Sequence, residues 1–410
     1  MKVWVKLLIG SLLGFLLGSL LPADNQNILD TLAWLETLAV RIGRYAVPPV
    51  LIFSLTITIY ELRQDGQFWA LVFRSILFII GTTFFVIAAG ILVTVFFPPS
   101  RIPILIDEQL ETVSLDTADN IIALFPSNMF EALVSDGVYL FPLCIFAFFL
   151  GMGLSYDKSY TKPIISIVDS LSRIFYHIVS FFSEILGIVM IVLAAYWAVR
   201  FHAVQQTAAF RDLIGLLGIF SLILCFGILP LFLYILPKHT NPWVVLYGSL
   251  SQAITSFFSG DINFSYPVLL RHLKENMGVK RRSNAVSLSL FAVFGRAGSA
   301  MVAAAAFIVI IKSYSSLGIT PADIIAIGAR AFLISFLLAR HPGDGAYTAL
   351  AVLCLDYGRG FEAGYLILQP MAFYLIAVGT FVDVMVASYA SFAIARISGF
   401  QEDKSLRHFI

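Results

Sequence analysis

Charge is what this sequence has least of. Of its 410 residues only 12% are Asp, Glu, Lys or Arg while 59% are hydrophobic, with mean hydropathy +0.91, against roughly 25% charged and 45–50% apolar in soluble domains. That balance excludes an ordinary soluble fold and describes an all-α polytopic membrane protein. A basic excess is missing too: 26 Lys and Arg face 25 Asp and Glu, which removes nucleic acid from the candidate partners, because proteins that bind it concentrate positive charge. Cysteine is scarce. Cys144, Cys225 and Cys354 lie far apart inside apolar segments without metal-ligand spacing, so they read as small buried hydrophobes. No cofactor is expected.

Long apolar runs are what is present. Residues 3–21, 31–60, 68–98, 120–154, 163–199, 213–236, 286–311 and 363–395 form such runs, most of them longer than the ~20 residues a crossing helix needs, so eight transmembrane helices are expected. The first follows Lys2 and Lys6 and lacks a small-residue cleavage site, so it reads as a span and not as a signal peptide. Tyr45, Pro48 and Pro49 mark a kink in the second. If the spans alternate, Lys2, Lys6, Arg63, Lys158, Lys162, Lys238, the cluster Arg271 to Arg282, Arg396, Lys404 and Arg407 share one side. The other side holds an acidic loop with Asp107, Glu108, Glu111, Asp116 and Asp119. The positive-inside rule then places both termini in the cytoplasm of a plasma membrane, read as a prokaryotic inner membrane, with lipids as partners.

Two stretches do not fit spanning helices. Residues 244–277 place an apolar arm, a polar tip Ser259-Gly260-Asp261-Ile262-Asn263-Phe264-Ser265 and a second arm that ends basic. Residues 322–358 repeat the plan around the tip Arg340-His341-Pro342-Gly343-Asp344-Gly345-Ala346-Tyr347. Irregular backbone at membrane depth is tolerated only when buried in protein or lining a wet cavity, so each reads as a re-entrant helical hairpin. Each is followed by an apolar helix with polar residues at its middle: Gly295, Arg296, Gly298 and Ser299 in 286–311, and Asp383, Ser388 and Ser391 in 363–395. A hairpin–helix unit used twice with opposite orientation is the inverted repeat of a secondary transporter with a midplane site.

At these residues the chain resembles the glutamate-transporter family, the dicarboxylate/amino acid:cation symporters. Pro342-Gly343-Asp344-Gly345-Ala346 is similar to that family's second-hairpin Pro-Gly-Ala-Gly-Ala, and Ser256 to Ser265 with the arm that follows is similar to its serine-rich first hairpin. Gly278 and Gly298, 20 residues apart, match the spacing from that arm to the glycine of the family's Asn-Met-Asp-Gly-Thr motif. The resemblance implies a homotrimer working by an elevator mechanism. Residues 1–65 and 99–210 would form a fixed scaffold (helices 1–2 and 4–5). Residues 66–98 (helix 3) and 211–398 (helix 6, hairpin 244–277, helix 286–311, hairpin 322–358, helix 363–397) would form a transport domain, with 399–410 as a cytoplasmic tail.

Departures from the pattern concern the site. Gly295-Arg296-Ala297-Gly298-Ser299 stands where the resemblance expects Asn-Met-Asp-Gly-Thr, and Ile376, Gly379, Asp383 and Ala387 stand where it expects Asp, Arg, Asn and Asp. Two carboxylates of the implied sodium sites are thus Ala297 and Ala387, while charges appear at Arg296 and Asp383. Lone charges at the bilayer centre cost at least ~2.5 kcal/mol and usually pair. Arg296 and Asp383 are therefore expected to pair with each other, either as a surrogate for the cation or only as a buried pair fixing two helices. The rival reading has Arg296, with Arg340, clamping a substrate carboxylate. Whether sodium, a proton or no ion is coupled stays open.

The candidate substrate-binding residues are Ser259, Asp261, Asn263, Ser265, Arg296, Gly298, Arg340, Pro342, Gly343, Asp344, Gly345 and Asp383. Asp261 could bind an amino group or cation, or simply cap the second arm. His177, Glu184 and Arg200 read as packing or lipid-facing groups. An enzyme is not expected, because His341 sits in a hairpin tip beside a proline with no matching catalytic spacing. A channel would also use half-helices, but the inverted repeat favours a carrier. The expected function is secondary transport of a small organic solute, an amino acid or a dicarboxylate, with weakened or absent sodium coupling.

Overall fold

The computed structural model describes residues 2–22, 25–102, 128–134, 137–156, 158–203, 207–235, 241–314 and 319–404. Among them there is no β-strand, and the chain is built from helices joined by short turns. The acidic loop, Lys238 and Arg407 lie outside the described residues. Among the described residues, seven helical stretches are long and apolar enough to cross a membrane, and Phe141–Leu154 and Gly345–Tyr357 are shorter apolar helices. The run expected at 120–154 begins in residues outside the described ones, and its helix Phe141–Leu154 is 14 residues long.

The first helix is apolar almost all round. In α1 (Val3–Leu20) the buried positions include Gly10, Gly14 and Gly18, one face at i, i+4 spacing. A Cβ at Gly10 would lie 2.0 Å from the Gly187 carbonyl oxygen and one at Gly14 2.2 Å from that of Ile191, so only glycine lets α1 pack backbone to backbone. This is how small residues join helices in lipid. Its opposite face exposes Leu12, Leu16 and Leu20. The span that follows is broken at Tyr45 and Ala46 into α2 (Gln26–Arg44) and α3 (Val47–Gln64). Pro48 and Pro49 sit in the first turn of α3, where a missing N–H costs no helical bond, and the expected kink is there. Next come α4 (Phe68–Phe96), α5 (Phe141–Leu154) and the 46-residue α6 (Lys158–Ala203), which carries Gly187 and packs along α1.

After α7 (Thr207–Ile223) the chain makes a π-turn at Leu224–Ile228 just before Pro230, a widened turn beside a residue that cannot donate. The remainder carries the site: α8 (Pro242–Gly248), α9 (Leu250–Ser259), α10 (Ile262–Glu275), α11 (Arg281–Phe294), α12 (Ala297–Tyr314), α13 (Pro321–Ser335), α14 (Gly345–Tyr357) and α15 (Ala372–Ile397). Here burial reverses. Every residue from Ala297 to Ile311 of α12 and from Ala377 to Ala395 of α15 is buried, and these two helices pack on each other at the centre.

The residues expected to be a tail begin as part of this body. Val279 and Gln401 form an antiparallel bridge, the Lys280 N–H donates to the Phe400 carbonyl (2.8 Å) and the Glu402 N–H to that of Gly278 (2.9 Å). Gly278 has φ +66°, and a Cβ there would lie 2.0 Å from the Glu402 carbonyl oxygen.

Candidate functional site

Two helix ends and two turns converge at the centre. The first turn joins α9 to α10 at Gly260, whose φ of +60° suits glycine. Asp261 then caps α10: its side chain accepts from the Phe264 N–H at 2.7 Å, satisfying a donor that the helix start leaves free. Its other carboxylate oxygen is ion-paired with Arg44, the last residue of α2. Thr380 of α15 donates to the Gly260 carbonyl (2.9 Å) and Asn263 donates to that of Val138 (2.9 Å). Ser265 hydrogen-bonds the Asp261 carbonyl (3.1 Å), and Ser259 accepts from the Asp261 N–H (3.2 Å).

The second turn, before α14, meets the first directly. The Ile262 N–H donates to the Pro342 carbonyl (3.2 Å). A Cβ at Gly343 would lie 2.9 Å from the Asp261 carboxylate, and one at Gly345 would lie 3.3 Å from the Ser299 hydroxyl. Asp344 accepts from Thr348 (3.1 Å) and contacts the His341 ring (3.0 Å). Arg340 is exposed and lies over the Tyr139 ring, 5.9 Å from its centroid.

The helix expected at 286–311 is broken. α11 stops at Phe294, Gly295 leaves helical geometry (φ −79°, ψ 61°), and α12 restarts at Ala297. Its free N-terminal N–H groups face α15, where Asp383 accepts from Gly298 N–H (2.6 Å), Ser299 N–H (3.2 Å) and the Ser299 hydroxyl (2.6 Å). A fully buried carboxylate thus caps a neighbouring helix, with the helix dipole favouring its charge. Gly298 permits the approach, since a Cβ there would lie 2.4 Å from Val382 Cβ and 2.5 Å from the Gly379 carbonyl oxygen.

Here one expectation fails. Arg296 and Asp383 make no ion pair within 4.0 Å; Asp383 is already satisfied by the α12 terminus. The Arg296 side chain is only 1% exposed. Its Nε and Nη2 are buried without a hydrogen-bond partner, and Asp383 and Asp344 act on it only through space. Nε and Nη2 form one edge of the guanidinium, the edge that presents two parallel N–H groups.

Of the candidates, Asp261 lies against Gly343 and just before Ile262, which bonds Pro342, while Gly298, Asp383 and, through Ser299, Gly345 form a second group. Ser259 and Ser265 instead tie the first turn to itself, Asn263 points to Val138, and Arg340 packs on an aromatic ring. Arg44 was missed, although a cation inside the apolar 26–64 stretch is a signal by itself; Thr380 was missed because a lone threonine in an apolar helix carries none. Glu184 joins Arg271 (2.7 Å) and Lys6, and Arg200 stacks near Tyr196 and Phe373, which are packing roles.

The sequence profile of the Sodium:dicarboxylate symporter family matches residues 3–397. A Proton/sodium-glutamate symport protein of Bacillus subtilis is 24% identical over 237 residues, covering 54% of this chain and 54% of that protein. Excitatory amino acid transporter 1 of Rattus norvegicus is 32% identical over 126 residues, 31% of this chain and 23% of its own length. An excitatory amino acid transporter of Caenorhabditis elegans is 29% identical over 125 residues, 30% and 24% respectively. The matched part thus spans about half, or less, of these relatives' lengths.

Proposed function

The chain belongs to the sodium:dicarboxylate symporter family, a family of transporters and not of enzymes, and from that premise we propose that it carries a small organic anion, an amino acid or a dicarboxylate, with the substrate carboxylate on Arg296. One observation carries this reading: the two-donor edge of a buried guanidinium has no acceptor at the point where two turns and two helix segments meet. An unpartnered buried charge is costly, and a carboxylate satisfies that edge with two parallel charge-assisted bonds. Arg296 is closed off from solvent here, so entry requires a turn to lift. Arg340, on Tyr139, takes no part in this reading.

Sodium coupling is weakened in this reading. Ala297 and Ala387 offer no carboxylate, Asp383 is committed to the α12 terminus, and Arg296 supplies a permanent positive charge nearby. Transport follows the elevator scheme: the hairpins around α9–α10 and α13–α14, inverted and re-entrant, move with α4, α7, α11, α12 and α15 against a trimeric scaffold. Native mass spectrometry in mild detergent should give trimers; a folded monomer alone would refute the scaffold assignment.

The decisive experiment is thermal stability of the purified protein against glutamate, aspartate and succinate, in sodium and in choline, for the unmodified chain and Arg296→Met. A ligand that binds the folded state raises the melting temperature. We expect a response in choline as well as sodium, and its loss in Arg296→Met. Without ligand that variant should be at least as stable, because an apolar side chain replaces a buried charge without a partner. A steep sodium dependence would overturn the coupling claim, and an undiminished response in Arg296→Met would overturn the role of Arg296.

A further inference from the structure

On the basic side of the molecule, α6 faces α10 and α11 across a cavity of about 240 Å³ lined by Ser54, Ser172, Arg173, Tyr176, Lys274 and Arg281, among others. Its lining carries three cations, Arg173, Lys274 and Arg281, and no carboxylate. Arg281 is ion-paired with Glu61 (2.7 Å) and Asp169 (2.5 Å), and Arg173 also with Asp169 (3.1 Å). Glu61 further receives Arg282 (2.9 Å), and Glu275 is taken by Arg271 (3.0 Å) and the Tyr176 hydroxyl (2.7 Å). Every nearby carboxylate is therefore engaged. Among the described residues, Lys274 has no carboxylate within 4.0 Å of its Nζ and no hydrogen-bond acceptor; its ammonium rests 3.2 Å from the centroid of the Tyr176 ring. Ser54 and Ser172 hydrogen-bond each other at the same wall (3.2 Å), which leaves one hydroxyl proton to donate.

We propose that this cavity binds a phosphate-bearing anion, an anionic lipid headgroup or free phosphate, with Lys274 as its ammonium ligand, Ser54 or Ser172 as a hydroxyl donor and Arg173 at the mouth. A tetrahedral oxyanion offers acceptors to all three groups at once, and basic pockets between membrane helices take such headgroups. Lys274 is itself exposed on its open side, and the like charges of Arg281 and Arg173 disfavour its ammonium, a repulsion that a bound anion offsets. An anion held here would tie α6 to α10 and α11. That it would thereby slow transport rests on the elevator reading; its binding does not.

The test reads binding without any transport substrate. Melting temperature in neutral detergent is followed against inorganic phosphate, with chloride at matched ionic strength as control, and against phosphatidylglycerol, with phosphatidylcholine as control, for the unmodified chain, Lys274→Gln and Arg173→Gln. Stabilisation is expected with phosphatidylglycerol or phosphate and not with the controls, weakened about tenfold in apparent affinity in Lys274→Gln, as for loss of one charge-assisted contact, and several-fold in Arg173→Gln. A response to phosphate identifies the free anion as sufficient; a response to phosphatidylglycerol alone identifies the lipid. No response to either probe, an equal response to the controls, or unchanged affinity in both variants overturns the proposal. Should Lys274→Gln fail to fold, Arg173→Gln decides, since Arg173 is largely exposed. Failure here leaves the assignment of Arg296 untouched.

Discussion

The turn around Asp261 and the turn around Asp344 touch each other, yet they are held by different means. The first is anchored from several sides: Asp261, 1% exposed, pairs with Arg44 and caps α10, Thr380 holds the Gly260 carbonyl, and Asn263 reaches Val138. The second bonds the first through the Pro342 carbonyl, while the contacts of the half-exposed Asp344 stay within its own turn, to His341 and Thr348. Local bonds of that kind open at little cost, whereas cross-links between distant segments must break together. The second turn is thus the one expected to lift for a substrate to reach Arg296, and the first the one that moves only with its whole surroundings.

The largest effect should separate the two acids. Asp261→Ala removes a cap and breaks the ion pair of a buried carboxylate with Arg44, which should cost about 3–5 kcal/mol, as for other broken buried pairs; Asp344→Ala should cost about 1 kcal/mol or less, as for exposed pairs. Arg44→Gln combined with Asp261→Asn should recover part of the loss, the coupling that a double-mutant cycle reads. Thermal unfolding in detergent measures these variants, and equal losses at Asp261 and Asp344 would erase the distinction.

A smaller difference is expected between two glycines. Gly298→Ala drives a Cβ into Val382 and the Gly379 carbonyl, backbone and core atoms that cannot swing away, and should cost about 1–3 kcal/mol as overpacking does. At Gly343 the new methyl lies farther from its nearest neighbour, 2.9 Å from the Asp261 carboxylate against 2.4 Å at Gly298, so Gly343→Ala should cost less. The reverse order would mean that the second turn is as tightly fitted as the helix break.

The mildest perturbation is chemical labelling. With Cys144, Cys225 and Cys354 replaced, Gly343→Cys should react faster than Ser259→Cys, from the opposite membrane face, and be protected by substrate. Equal rates from one side would break both the inverted topology and the contrast in anchoring.

Composition, the long apolar runs and the two polar tips were enough to indicate a helical membrane transporter, because lipid requires apolar surface and because glycine, proline and short polar residues mark where a helix cannot continue; the family came from the resemblance of the Ser256–Ser265 and Pro342–Ala346 stretches. The cap at Asp261 was legible for the same local reason; the break at Gly295, inside a run read as one helix, was not. Partnership was not. Asp383 and Arg296 read as a pair because both are lone charges in apolar helices, but the N–H groups freed at the start of α12 are nearer and already satisfy the carboxylate. Arg44 finds Asp261 across 217 residues, a contact no periodicity encodes. Sequence by itself determined which segments are buried and where helices end, since those follow from local backbone chemistry and transfer to lipid; only the tertiary structure decided which buried charge is satisfied and which is left open, because that depends on distances between atoms far apart along the chain.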